Sequence, residues 1–99
     1  MLLNKAITKS IKNLCKNYRV KTLSIFGSAT RDDFNEESDI DFAVDFEEKD
    51  PIVYADLYFN FKRSLEELFN REVDLIESRA IRNSYFKDEL EKTQVNLYG

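Results

Sequence analysis

Residues 26–42 read FGSATRDDFNEESDIDF, and the fold turns on how this run is parsed. The chain of 99 residues contains two glycines; Gly27 is the interior one and stands directly before Ser28. Ten residues separate Ser28 from Asp39-Ile40-Asp41. Upstream, VKTLSIF (Val20–Phe26) is β-branched and aromatic and stops at Gly27, which predicts a strand ending in a turn. Downstream, DIDFAVDF (Asp39–Phe46) alternates without error. Ile40, Phe42, Val44 and Phe46 share one face, and Asp39, Asp41, Ala43 and Asp45 share the other.

The remaining elements follow by working outward. Leu3, Ile7, Ile11, Leu14 and Tyr18 recur at helical spacing and predict an amphipathic helix from about residue 2 to 18. Asp50-Pro51 is a helix start, an acidic N-cap followed by proline in the first turn. That helix carries Val53, Leu57, Phe61, Leu65 and Leu68 on one face and ends near Asn70, a residue that tolerates a left-handed cap. Tyr54, Tyr58, Phe59 and Phe61 crowd it beyond the needs of one core face and read as extra core packing. REVDLIE (Arg71–Glu77) suits a third strand. Residues 84–92 suit a last helix with Phe86 and Leu90 inward, and VNLY offers a short closing strand. The order α-β-β-α-β-α, with that closing strand, predicts one α+β domain over residues 1–99. Its small mixed sheet carries helices on one face.

Composition removes several function classes. Fifteen basic and 19 acidic residues give a net charge of −4, which argues against a domain that binds nucleic acid directly by neutralising phosphates. Without histidine, Ser-His and Cys-His catalysis is excluded and a zinc site is disfavoured. The single cysteine, Cys15, allows no internal disulfide and falls on the apolar side of the first helix. The lysine-interrupted start is neither a signal peptide nor a membrane span, so the cytoplasm is the expected location and no membrane partner is expected.

Aspartate is depleted from strands, so two on one strand face need a reason. Residues i and i+2 hold Asp39 and Asp41 about 6–7 Å apart, close enough to converge on bound cations. Asp74, flanked by Val73 and Leu75, joins the same face if the third strand lies beside the second. Three carboxylates with no nitrogen or sulfur donor make an all-oxygen site suited to Mg²⁺ or Mn²⁺. The plain alternative is a solvated acidic strand face, but that reading expects Lys, Arg or Thr among the acids, and only Ala43 lies between them. Gly27-Ser28 ends a strand where free backbone N–H groups can cradle a phosphate, and Arg31 stands three residues on. Together these parts describe metal-dependent transfer on a nucleoside triphosphate, with Asp74 as base or ligand for the incoming hydroxyl.

The Gly-Ser-x10-Asp-x-Asp spacing, with the Val-Asp-Leu strand after it, resembles the DNA polymerase β-like nucleotidyltransferase superfamily. The chain is most similar to its smallest branch, the minimal nucleotidyltransferase (MNT) domains, over nearly its whole length. The resemblance implies the polymerase β-like fold, two Mg²⁺ ions on Asp39, Asp41 and Asp74, and ATP held by Gly27, Ser28 and Arg31. It also implies a partner: a HEPN-domain ribonuclease toxin, joined in a hetero-oligomer and neutralised by transfer of AMP to one of its tyrosines. Two other readings stand beside this one, an antitoxin that acts by binding alone and a transferase acting on a small molecule. Many relatives carry a basic residue after Gly-Ser and a glycine after the arginine, where this chain has Ala29 and Asp32.

Overall fold

The computed structural model describes residues 4–26, 40–81 and 84–99. Helix α1 (Lys5–Asn17) begins after Asn4, whose extended backbone and side-chain oxygen, accepting from the Ile7 N–H at 2.9 Å, set the start later than the apolar spacing suggests. Strand β1 (Val20–Phe26) follows, then β2 (Ile40–Phe46) and the long helix α2 (Pro51–Phe69). Strand β3 (Val73–Glu77), helix α3 (Ser84–Thr93) and β4 (Val95–Tyr98) complete the order. The closing strand is thus present, and the inward orientation expected of Phe86 and Leu90 lies outside the described residues.

Helix α2 starts and stops as its sequence dictates. The Asp50 carboxylate accepts from the N–H groups of Ile52 and Val53, and Asn70 closes the helix in the left-handed conformation at φ 53°. The N–H of Arg71 turns back to the Glu66 carbonyl at 3.3 Å, so β3 begins at Val73 rather than Arg71. Arg19 is the other non-glycine residue at positive φ among those described, at 57°, where α1 gives way to β1.

The sheet runs β3-β2-β1-β4. β1 pairs antiparallel with β2 and with β4, while β2 and β3 are parallel, the arrangement that α2 makes possible as the crossover. Both α1 and α2 lie against one face. Ile11 and Cys15 from α1, and Tyr54, Phe61 and Leu65 from α2, enclose Leu23, Ile25, Ile40, Phe42, Val44, Phe46 and Leu75. Phe46 and Phe61 meet edge-on at 5.8 Å, and Phe61 meets Tyr18 the same way at 5.9 Å. Burying each such side chain contributes about 1.5–3 kcal/mol, so this layer anchors the sheet that positions the acids. Burial alone pushes the Cys15 thiol up to about 12.

The other face is partly covered as well. Ala43 is buried there with Phe26, and Ile76 and Ile81 pack against them. One aromatic departs from expectation: Phe59 is 63% exposed, whereas Tyr54 and Phe61 are buried. Nineteen helical residues turn more than one side outward, and position 59 falls two residues before the inward Phe61, on the far side of the helix.

Candidate active site

The alternation of β2 sends Phe42 and Val44 into the helix-covered core and leaves Asp41 half-buried on the opposite face. Across the parallel ladder, Asp41 is in register with Asp74, Ala43 with Ile76, and Ile40 with Val73. Neighbouring strands lie about 4.8 Å apart, so the two aspartates are side by side on one surface. On the other flank Asp41 is paired with Phe26, the residue that precedes Gly27. The second strand, the third strand and the end of the first therefore meet at one corner of the sheet. Juxtaposed carboxylates repel unless a cation or proton comes between them, and their donor atoms are hard oxygens suited to Mg²⁺ or Mn²⁺.

Of the expected site residues, the structure brings Asp41 and Asp74 together. Gly27, Ser28, Arg31 and Asp39, together with Ala29 and Asp32, lie outside the described residues. Among the described residues no group of three or more metal-ligating side chains gathers, the described part of the expected set being this pair.

Sequence reasoning missed what happens at the far end of β2. Asp45 accepts two hydrogen bonds from Arg79, from Nε at 2.9 Å and Nη2 at 2.7 Å, and Nη2 also reaches the Phe46 carbonyl at 2.9 Å. The hydrogen bond to Asp45 raises the Arg79 pKa further, and the guanidinium lies 4.4 Å from the centre of the Tyr54 ring. Thirty-four residues separate the two partners, so no local pattern announces the pair. Beside it opens a cleft of about 550 Å³ whose walls include Lys49, Tyr54, Tyr58, Phe59, Glu77 and Arg79. The crowding of aromatics on α2 was the one signal in the sequence.

Comparison with known proteins places this geometry. Residues 9–99 match the family model described as Polymerase beta, Nucleotidyltransferase, and the chain belongs to that family of nucleotidyltransferases. It is 36% identical over 89 residues to a Methanocaldococcus jannaschii protein provisionally named a protein adenylyltransferase, a match covering 89% of this chain and 88% of the relative. It is 30% identical over 81 residues to the protein adenylyltransferase MntA of Thermococcus cleftensis, covering 82% of this chain and 79% of that one. Among solved structures, it superposes with a TM-score of 0.66 on a chain from the complex of a tri-AMPylated Shewanella oneidensis HEPN toxin with its MNT antitoxin. That match has 20% identity and covers 100% of this chain and 73% of the other, a likeness of fold.

Proposed function

We propose that this protein is an antitoxin that transfers AMP from ATP to a tyrosine of a HEPN-domain ribonuclease toxin and so neutralises it. The observation that carries the reading is the pairing of Asp41 with Asp74 across β2 and β3, beside the strand end that leads into Gly27-Ser28. The relatives named as protein adenylyltransferases, and the fold shared with the toxin–antitoxin complex, support it.

Asp39, Asp41 and Asp74 would hold Mg²⁺, two ions in the full site, and their all-oxygen donor set fits that metal. When bound, the metal neutralises charge at the reacting phosphate and on the departing pyrophosphate. The backbone N–H groups at Gly27-Ser28 and the guanidinium of Arg31 grip the triphosphate. Asp74, exposed at the sheet edge, faces the incoming acceptor and takes the proton of its hydroxyl. The tyrosine oxygen then bonds to the α-phosphorus, the bond from that phosphorus to the bridging oxygen breaks, and pyrophosphate leaves.

The test incubates the protein with Mg²⁺, ATP labelled at the α-phosphorus, and HEPN proteins from the same genome. Label is expected on a tyrosine of one toxin, and it should disappear with Asp41→Asn. Toxin neutralised without label, or neutralised equally by Asp41→Asn, would replace this reading with neutralisation by binding alone.

A further inference from the structure

The cleft beside α2 is separate from the carboxylate pair. Glu77, on its wall, lies three residues beyond Asp74 on β3 and therefore about 10 Å along the strand, on the opposite face of the sheet. Its volume of about 550 Å³ and its largely aromatic walls are those of a small-molecule pocket.

The polar groups in it are incompletely used. Tyr54 is 9% exposed, and its hydroxyl, shielded from solvent, has no hydrogen-bond partner among the described residues. Buried hydroxyls are nearly always bonded, so an orphan on a cleft wall marks the place of a missing partner. The Tyr54 ring is fixed from two sides, by the edge contact with Phe46 at 5.2 Å and by the Arg79 guanidinium, itself held by Asp45. Tyr58 is pinned through its hydroxyl, which donates to the Leu75 carbonyl, and Phe59 stands edge-on to it at 5.2 Å with its own ring exposed. Glu77 is close enough to both tyrosines that its charge adds to burial in raising their pKa values, which keeps the Tyr54 hydroxyl a proton donor. The Lys49 ammonium has no ion-pair partner among the described residues.

A hydroxyl donor beside a carboxylate acceptor matches one kind of ligand edge, a ring nitrogen next to an exocyclic amine. Aromatic walls supply stacking for a flat ring, and Lys49 supplies a cation for an anionic tail. We propose that this cleft is a second nucleotide site, taking an amino-bearing nucleobase such as that of AMP. Tyr54 donates to the ring nitrogen, Glu77 accepts from the amine, Tyr58 and Phe59 stack on the ring, and Lys49 meets the phosphate.

The test is an ¹⁵N NMR titration of the whole chain with AMP in the presence of a chelator, so that it depends on neither metal nor toxin and stands apart from the transfer reaction. AMP is expected to shift the amides of Lys49, Tyr54, Tyr58, Glu77 and Arg79. UMP, which lacks the amine, should bind at least about fivefold more weakly, and Tyr54→Phe should weaken AMP by a similar factor, each change removing one hydrogen bond. Tyr54→Phe keeps the ring and its packing, so its native melting behaviour certifies the comparison. Shifts confined to Phe26, Asp41 and Asp74 overturn the proposal. So do equal binding of AMP and UMP, unaltered binding by Tyr54→Phe, and the absence of any shift.

Discussion

Asp41 and Asp45 lie four residues apart on the same face of β2, with Ala43 between them under Phe26, Ile76 and Ile81. Asp45 is neutralised where it stands, by two hydrogen bonds from a single guanidinium. Asp41 is set in register with a second aspartate, on the edge strand. Residue type and strand geometry are the same at the two ends, so what separates them is the partner supplied by β3 and the turn after it. The lesson is that an acid on a sheet is structural when the fold brings a cation to it and functional when the fold brings another acid. Stability alone would not select the second arrangement.

One substitution made at both ends tests this division. Asp41→Asn should lower AMP transfer about a thousandfold, the equivalent of several kcal/mol of lost charge stabilisation. Thermal melting should show no loss of stability, because one of two facing charges is removed; a clear drop in Tm would mean that Asp41 is structural after all. Next in size is the response to metal. At about a hundredfold excess over its dissociation constant, Mg²⁺ should stabilise the wild type by about 2.7 kcal/mol. Asp41→Asn should lose most of that gain in the same melts.

At the other end the readouts exchange places. Asp45→Asn should cost up to about 1 kcal/mol in urea denaturation, since the pair with Arg79 is partly exposed, and should leave AMP transfer unchanged. A large loss of activity there would erase the distinction. The smallest effect concerns acid. The Glu48 carboxylate accepts from the backbone N–H groups of Asp50 and Lys49 and pairs with Arg19, which holds its pKa below the usual 4.5. The folded chain therefore binds this proton more weakly than the unfolded chain. The stabilisation is complete above 4.5 and disappears as pH falls through the lower folded value. Glu48→Gln should flatten that acid limb in urea midpoints measured against pH.

Much of the fold could be read before any coordinates, and the reasons are local. The unbroken alternation of residues 40–46 fixes which side of β2 is core, Asp50-Pro51 carries its own helix start, and Asn70 is built for the left-handed turn it makes. Asp41 and Asp74 were both legible as acids in apolar strands, and their meeting needed only β3 to lie beside β2, as it does. The Arg79–Asp45 pair was not legible, because it joins residues whose closeness depends on the whole β2–α2–β3 path. Phe59 misled for a related reason. Hydrophobicity marks a residue as suited to a core, while helix phase decides whether it reaches one, and α2 has more apolar residues than its inward side can hold.

Cys15 provides something the protein was not selected for. It is fully enclosed between α1 and the sheet, and its thiol scarcely ionises while that layer stays closed. An alkylating reagent reacts with the thiolate, so it can label this chain only during excursions in which α1 lifts away. The single cysteine is thus a native stopwatch: its labelling rate counts the openings of the helical layer, with and without nucleotide, with no engineered probe.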